Sequence, residues 1–325
     1  MLIRTLGRTG LRVSVLGFGC GAVGGLMVRG DPAEQERTVT RAIEIGVNYF
    51  DTAPQYGDGA SERNLGRVLA RLKPDVLVGT KVRLRDEERG GGGVAGAVRD
   101  GLDASLQRLG LDHVDILHLH NPITLGVEAG TVNSETVLGE VVPAFEEARK
   151  SGKTRFLGIT AVGETEALHR VVAAGAFDTA QVCYNLLNPS AGNEVKPRES
   201  VQDYGNLLAR MQAVGMGAIG IRALAGGALS GEAGRHPVAS PPPEPIGSGP
   251  DYAADLARAR GLLRLAKELG AESLAELALR FAISQPGLAM TLIGIASKEQ
   301  FDAAATAAQK GTLEPDALRR IEAAL

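Results

Sequence analysis

The chain alternates eight short apolar runs with longer segments whose apolar residues follow helical spacing, and this alternation restricts its fold more than any other feature. The runs predict strands at residues 13–17, 47–51, 76–81, 114–120, 154–160, 179–184, 217–222 and 290–295. Between them, a helical stripe is formed, for example, by Val94, Val98, Leu102, Leu106 and Leu109. The pattern predicts an α/β chain folded as one (β/α)8 TIM barrel domain over residues 1–325.

Three segments lie outside this rhythm. Residues 3–12 predict an N-terminal β-hairpin that closes the bottom of the barrel. Residues 121–135 and 231–251 follow strands four and seven, so they predict long loops on the C-terminal face, where barrel enzymes build their sites. Loops of this length are often binding loops or lids. For residues 231–251, which are rich in Pro, Gly and Ser, a disordered insertion is an equal alternative.

Bulk properties permit a cytoplasmic enzyme. The net charge of −3 gives no electrostatic reason to expect nucleic acid or an anionic membrane as a partner. No 18-residue apolar run predicts a spanning helix, and residues 1–10 lack the apolar core of a signal peptide. Cys20 and Cys183 are interpreted as small buried residues in a reducing compartment, and no metal site is expected. Oligomeric state stays open.

Polar residues that can carry protons end three of the predicted strands. Asp51 ends the second strand, Lys81 the third and His120 the fourth, while Tyr56 lies on the loop just after Asp51. The carboxyl ends of barrel strands meet on one face, so we expect these four side chains to lie together. Such a set is suited to proton transfer.

Within this set, each residue has a predicted partner. A lysine at a buried strand end needs a counter-ion, and Asp51 is the natural one for Lys81. Because an ammonium favours phenolate, we expect Lys81 to lower the pKa of Tyr56 and make it a usable acid and base. His118 shares a strand face with His120 and is expected to pack inside the barrel.

The segment 19–24 contains the spacing G-x-G-x-x-G after a predicted strand. In a dinucleotide fold these glycines open a helix that binds pyrophosphate, with an acidic residue about 20 positions further on. Here the next helix start, Asp31-Pro32, comes too late, and the acidic residue is missing. We therefore interpret Gly19, Gly21 and Gly24 as sites of close backbone approach at the mouth of the barrel.

Taken together, these residues resemble the aldo-keto reductases. The matching segments, in the expected order, are residues 4–11, Asp51-Thr52-Ala53 with Tyr56-Gly57, Thr80-Lys81, Asp115 with His120-Asn121-Pro122, residues 152–155 with Gly158, and Gln181 with Tyr184-Asn185. The resemblance implies a (β/α)8 barrel that binds NADP(H), possibly NAD(H), without the dinucleotide fold. It implies Tyr56 as acid and base, Lys81 tuning it, Asp51 pairing with Lys81, and His120 polarising a substrate carbonyl.

The resemblance also implies cofactor-binding residues, which are Gly19, Thr160, Gln181, Arg222, Leu224, Ser297, Lys298 and Gln300. Some family positions differ. Thr160-Ala161 stands where the family often has Ser-Asn, and Ile221 stands where a tyrosine commonly stacks on nicotinamide. Residues 293–300 resemble the adenosine-phosphate segment, although Ala303-Ala304 replaces its usual Glu-Asn. We expect a modest preference for NADPH that rests on Ser297 and Lys298.

Three functions are compatible with these residues. The first is a nicotinamide-dependent reductase that converts an aldehyde or ketone to an alcohol. The second is the same chemistry run oxidatively by a sugar or alcohol dehydrogenase. The third is a non-catalytic, cofactor-binding regulatory subunit on the same barrel, because a fold does not fix a function.

Overall fold

The structure, a computed structural model, describes residues 1–89, 93–193 and 201–325. Its strands in chain order are β1 (Ile3–Thr5), β2 (Arg12–Ser14), β3 (Leu16–Gly19), β4 (Tyr49–Asp51), β5 (Leu77–Val82), β6 (Val114–Leu119), β7 (Ile123–Thr124), β8 (Val132–Asn133), β9 (Thr154–Ala161), β10 (Thr179–Cys183), β11 (Gly217–Ile221) and β12 (Met290–Gly294). All eight predicted barrel strands are present. The largest difference is at the first, because the predicted run 13–17 is divided between β2 and β3.

Eight parallel strands close into a barrel, which confirms the predicted fold class. Around the barrel their order is β3, β4, β5, β6, β9, β10, β11 and β12, and β12 pairs with β3 to complete the ring. Sequential parallel neighbours are what short βαβ connections produce. That residues 1–325 form a single domain stays a prediction.

Helices follow the strands and cover the outside of the barrel. They are α1 (Leu26–Arg29), α2 (Pro32–Glu44), α3 (Ala60–Leu72), α4 (Gly93–Leu109), α5 (Ser134–Thr136), α6 (Val142–Lys150), α7 (Thr165–Ala173), α8 (Leu207–Ala213), α9 (Tyr252–Gly261), α10 (Leu263–Glu268), α11 (Leu274–Ser284), α12 (Lys298–Gln309) and α13 (Pro315–Ala324). Short 3-10 segments span Gly7–Thr9, Asp86–Glu88 and Ala225–Ser230, and a π-helical turn spans Val137–Val141. Asp31 caps α2 through the backbone N–H groups of Ala33 and Glu34.

The N-terminal hairpin closes the bottom of the barrel, as predicted. Strands β1 and β2 pair antiparallel, and Leu6 between them lies against Gly217 at the start of β11. Leu6 belongs to an inner apolar cluster with Val13, Tyr49 and Ile116. The hairpin therefore supplies apolar side chains that fill the lower end of the barrel and exclude water from it.

Both predicted loops carry ordered contacts. The loop 121–135 contains the parallel pair β7–β8 and the start of α5. The loop 231–251 has no helix or strand, but Ser240 N donates to Val23 O at 3.1 Å and Arg29 Nε donates to Val238 O at 2.8 Å. These contacts argue against a disordered insertion, and the function of the loop as a lid stays a prediction.

Two further expectations from composition are met by the described residues. Both Cys20 and Cys183 are free and buried. Over the ranges that the structure describes, the helices are too short or too polar to cross a membrane.

Helices α3 and α4 approach each other closely at Gly66. A Cβ atom at Gly66 would lie 2.3 Å from the carbonyl oxygen of Leu109, and a backbone oxygen cannot move aside as a side chain can. We expect Gly66→Ala to lower the free energy of unfolding by about 1–3 kcal/mol, the usual cost of overpacking. Denaturant unfolding monitored by circular dichroism measures this change.

Gly101 in α4 provides the matched control. A Cβ atom there would meet only Val82, at 3.7 Å, which is ordinary van der Waals contact. Gly101→Ala should therefore stabilise the chain by up to about 1 kcal/mol through helix propensity alone. Equal effects of the two substitutions would contradict the close approach of α3 to α4.

Candidate active site

A buried ion pair joins two neighbouring strands at the C-terminal face of the barrel. Asp51 ends β4 and Lys81 lies near the end of β5, and their Oδ2 and Nζ atoms are 2.5 Å apart. The side chains are 6% and 1% exposed. Lys81 Nζ also donates to Thr52 O at 2.8 Å, and Gln181 Nε2 donates to Asp51 Oδ1 at 2.6 Å. Both carboxylate oxygens are thus satisfied, as burial of a charge requires.

A tight turn after β4 returns Tyr56 over this ion pair. Tyr56 N donates to Ala53 O at 3.1 Å. Gly57 follows with a φ of 64°, and a Cβ atom there would lie 2.4 Å from Val28 Cγ1, so glycine is required at this position. The turn places the half-buried Tyr56 ring with its centroid 4.9 Å from Lys81 Nζ.

His120 completes the group from the end of the next strand. It follows β6 directly, and its ring centroid lies 5.8 Å from that of Tyr56, with the planes at 85°. His120 Nδ1 lies 3.0 Å from Gln55 Oε1. A flip of the Gln55 amide would place its nitrogen there instead, so Nδ1 can either donate to or accept from Gln55, depending on the tautomer of His120. The structure therefore brings Asp51, Tyr56, Lys81 and His120 together at one end of the barrel.

Burial governs the protonation of Tyr56. It raises the pKa of the phenol above the ordinary value, while the charge of Lys81 and a side-chain hydrogen bond from it act in the opposite direction. The expectation that Lys81 brings this pKa below the ordinary value is therefore wrong for the net effect, because desolvation of the phenolate is larger than the attraction of the ammonium. Tyr56 is therefore a neutral phenol at neutral pH.

Other titratable groups nearby are held in defined forms. Burial opposes the ammonium of Lys81, but Asp51 and Tyr56 outweigh it and raise its pKa. Burial and then the charge of Lys81 lower the pKa of His120 well below its ordinary value, so the imidazole is neutral. The same two influences lower the pKa of His118 to about 3. His118 is buried within the barrel, as predicted, with Nε2 3.3 Å from Thr179 Oγ1.

Two residues expected to bind a nicotinamide carboxamide are neighbours. Thr160 on β9 pairs in register with Gln181 on β10. Thr160 Oγ1 is buried and has no hydrogen-bond partner among the residues that the structure describes. A buried hydroxyl without a partner is costly, and an amide group of a bound cofactor would satisfy it. This position fits the predicted group, while the amide nitrogen of Gln181 already donates to Asp51.

The segment after β11 presents the next predicted residues. Arg222 adopts a φ of 58°, which is unfavourable for a residue with a side chain and is typical of functional sites. Within the described ranges, its guanidinium makes no hydrogen bond or ion pair. Leu224 is half-buried two residues further on. An unpaired guanidinium at the barrel mouth fits a pyrophosphate group.

The glycine segment after β3 lies close to the same site. A Cβ atom at Gly19 would lie 2.7 Å from Ile293 O, and one at Gly24 would lie 2.3 Å from Ile295 N. A Cβ atom at Gly21 would lie 3.8 Å from the Tyr56 ring. The interpretation as points of close backbone approach is confirmed for Gly19 and Gly24 and is wrong for Gly21, where a Cβ atom would make only an ordinary contact with a side chain.

The residues predicted to hold a cofactor phosphate have partners within the protein. Ser297 caps α12 by accepting from Gln300 N at 3.3 Å, and Gln300 Oε1 accepts from Ala296 N at 3.0 Å. Lys298 Nζ pairs with Asp302 at 2.5 Å. At the same helix start, Glu34 Oε1 accepts from Lys298 N at 3.3 Å. The first backbone N–H group of α12 is therefore already hydrogen-bonded to the Glu34 carboxylate.

Sequence reasoning missed three residues of this region. Gln55 contacts His120, Glu34 contacts the start of α12, and Arg83 follows β5 at the barrel mouth. Arg83 was detectable, because strand alternation puts it on the same face as Lys81. Gln55 and Glu34 carry no such signal, since each lies on a different element from its partner.

Comparison with known proteins agrees with this arrangement. The sequence profile of the Aldo/keto reductase family matches residues 15–325. The chain therefore belongs to the aldo/keto reductase family of oxidoreductases.

Individual relatives share most of the chain. It is 31% identical over 334 residues to an L-galactose dehydrogenase of Arabidopsis thaliana, covering 99% of this chain and 94% of the relative. It is 27% identical to an L-glyceraldehyde 3-phosphate reductase of Escherichia coli O157:H7, covering 99% and 92%. Among solved structures, the holo form of aldo-keto reductase AKR11C1 from Bacillus halodurans matches with a TM-score of 0.75, 23% identity and coverage of 100% and 96%. At this identity, the last similarity supports the fold alone.

Burial and Lys81 shift the pKa of Tyr56 in opposite directions, so removal of Lys81 should change that pKa in a predictable direction. Lys81→Met removes the cation that lowers the pKa of the phenol, so the pKa seen in the oxidative pH–rate profile should rise. Turnover should fall as well. Lys153→Met, which removes a half-buried lysine paired with Asp103 far from Tyr56 in sequence, is the control and should leave the profile unchanged. A lower or unchanged pKa in a folded, active Lys81→Met variant would mean that Lys81 does not tune Tyr56.

Proposed function

We propose that the chain reduces an aldehyde or ketone to an alcohol with a nicotinamide coenzyme, with Tyr56 as general acid and base. The observation that carries this proposal is the convergence of Tyr56 and His120 above the buried Asp51–Lys81 pair. A cytoplasmic location, predicted from composition, is part of the same proposal. The convergence also favours catalysis over a purely regulatory subunit, which would not need a buried ion pair beneath a phenol.

Each residue has a defined part in this chemistry. The coenzyme, when bound, supplies the hydride that reaches the carbonyl carbon. Tyr56 donates its proton to the carbonyl oxygen, and the Lys81 ammonium stabilises the resulting phenolate. Neutral His120 orients the carbonyl by donating from Nε2, which requires Nδ1 to accept from the amide nitrogen of Gln55. Asp51 holds Lys81 in place and keeps it charged.

Protonation favours the reductive direction at neutral pH. Reduction needs Tyr56 protonated, and burial raises its pKa, so the acid form is the populated one. Oxidation needs the phenolate, so its rate should increase with pH through the pKa of Tyr56. An oxidative sugar or alcohol dehydrogenase remains the second candidate, and the similarity to a protein named L-galactose dehydrogenase favours it.

Removal of one hydroxyl tests the assignment of Tyr56. We expect Tyr56→Phe to lower turnover by about 10²–10⁴-fold, the usual contribution of a positioned acid–base group. Cofactor affinity, measured by fluorescence titration, should stay close to wild type. Oxidation of NADPH or NADH with a panel of aldehydes measures the turnover.

Tyr49 supplies a matched control on the same strand–loop unit. Its hydroxyl is buried in the barrel and has no partner among the described residues, so Tyr49→Phe should fold and retain most turnover. Retention of more than half of wild-type turnover by Tyr56→Phe, with chemistry shown to limit the rate, would remove Tyr56 from the mechanism.

Preference for NADP(H) over NAD(H) stays a prediction that rests on Ser297 and Lys298. The contacts at the start of α12 define what it requires. A 2′-phosphate bound there has to attract Lys298 away from Asp302 and lie beside the Glu34 carboxylate. Like charges repel, so Glu34 works against NADPH while Lys298 works for it.

Two substitutions separate these influences. Lys298→Ala should weaken NADPH binding by about 10–100-fold, because a charge-assisted hydrogen bond contributes roughly 1.5–3 kcal/mol. Glu34→Gln should strengthen NADPH binding, because the amide keeps its size and loses its charge. Neither should change NADH binding, measured by fluorescence titration of the same samples. Equal changes for both coenzymes would show that α12 does not contact the 2′-phosphate.

A further inference from the structure

Arg83 lies at the mouth of the candidate site, on the same line of side chains as Lys81. It follows β5 directly, two residues beyond Lys81, so strand alternation directs it to the inward face. Strands β5 and β6 pair in register with Val82 opposite Leu119, and His120 N donates to Val82 O at 2.8 Å. The next residue pair in this register is Arg83 and His120. Consistent with that position, the charge of Arg83 helps to lower the pKa of His120.

An open cavity of about 510 Å³ lies beside these residues. Its lining is Gln55, Arg83, Leu84, Arg85, Asp86, Glu87 and Gly130. Gln55 contacts His120, so one wall of the cavity is continuous with the candidate catalytic group. Gly130 comes from the long loop 121–135, which therefore also lines the cavity. The volume is within the usual range for small-molecule sites.

The charged residues of this cavity differ in their partners. Arg85 pairs with Glu88 at 2.5 Å and with Glu87 at 3.4 Å. Asp86 pairs with Arg89 and accepts from Gly130 N at 2.9 Å.

Arg83 is exposed, and across residues 1–89, 93–193 and 201–325 its guanidinium makes no ion pair or hydrogen bond. Asp86, Glu87 and Glu88 are already paired with Arg85 or Arg89, so among the described residues that line the cavity Arg83 is the cation without a carboxylate partner.

We propose that Arg83 binds an anionic group, a carboxylate or a phosphate, on the carbonyl substrate. A guanidinium presents paired donors that match both groups, and an anion held there would direct the carbonyl at the other end of a short substrate toward His120 and Tyr56. The inference rests on the proposed function and narrows its substrate class to short aldehydes or ketones that carry a negative charge. Arg83 is a specificity residue and takes no part in proton transfer.

Paired substrates test the proposal. Glyceraldehyde 3-phosphate is compared with glyceraldehyde, and succinic semialdehyde with butanal, so that the two arms separate phosphate from carboxylate. We expect Arg83→Gln to raise KM for the preferred anionic aldehyde by about 10–100-fold, with kcat and the neutral analogue little changed. Arg83→Lys should recover part of the loss. Equal loss for charged and neutral substrates, or no loss in either arm, would overturn the inference.

Arg85→Gln is the matched control. Arg85 lines the same cavity but is already paired with Glu87 and Glu88, so its removal should change the ratio of KM values far less than Arg83→Gln. An equal effect of the two variants would mean that the general potential of the cavity, and not Arg83, selects the anion.

A binding measurement separates this inference from the proposed function. Glycerol 3-phosphate and succinate are titrated into wild type and Arg83→Gln by isothermal calorimetry, with and without oxidised coenzyme. Binding of either anion that Arg83→Gln weakens by about 10-fold or more supports the proposal even if no aldehyde is turned over. Turnover of neutral aldehydes without any anion binding would leave the proposed function standing and overturn the role of Arg83.

Discussion

The buried ion pair between Asp51 and Lys81 is the interaction on which the site depends. Taking two charges out of water costs several kcal/mol for each ion, so the pair is tolerated only if its hydrogen bonds are complete. Gln181 from β10 satisfies the second oxygen of Asp51, and Thr52 O accepts from Lys81. The pair therefore ties three barrel strands together beneath Tyr56. Loss of either charge would leave the other unpaired in the barrel, which is why the sign test on Lys81 requires a check of folding.

Much of this arrangement follows from two regularities in the sequence. Parallel strands surrounded by helices end on one face, and side chains along a strand alternate between two faces. Those rules suffice to place Asp51, Lys81 and His120 together and to put His118 inside the barrel. Tyr56 could be added because the glycine after it allows a tight turn back over β4. The eight strands were predictable for the same reason, except at the first, where the hairpin takes the beginning of the run.

What the sequence could not supply depends on distant contacts. Gln181 donates to Asp51 across 130 positions, a contact that no local pattern encodes. Lys298 pairs with Asp302 on its own helix, whereas the carboxylate at its backbone N–H comes from Glu34 on α2. The pKa of Tyr56 likewise depends on how completely the barrel excludes water, and the spacing of residues in the sequence does not predict this. A cation near a phenol lowers the pKa of the phenol, but burial raises it, and the larger of the two effects determines the direction of the shift.

Along strand β5, residues that share one face differ in burial and therefore in the partners they can reach. Its inward positions are Gly79, Lys81 and, just beyond its end, Arg83. A Cβ atom at Gly79 would lie 2.1 Å from Tyr49 Oη, so glycine is needed there to admit the tyrosine into the barrel. Two residues higher, Lys81 is buried, forms an ion pair with Asp51 and lies beneath the Tyr56 ring. Two residues higher again, Arg83 is exposed to solvent, and its guanidinium has no ion-pair or hydrogen-bond partner within the part of the chain that the structure describes. A cation at residue 81 thus fits the proposed role beside Tyr56, and a cation at residue 83 fits the proposed binding of a substrate anion, because depth along one strand determines which partners each can reach.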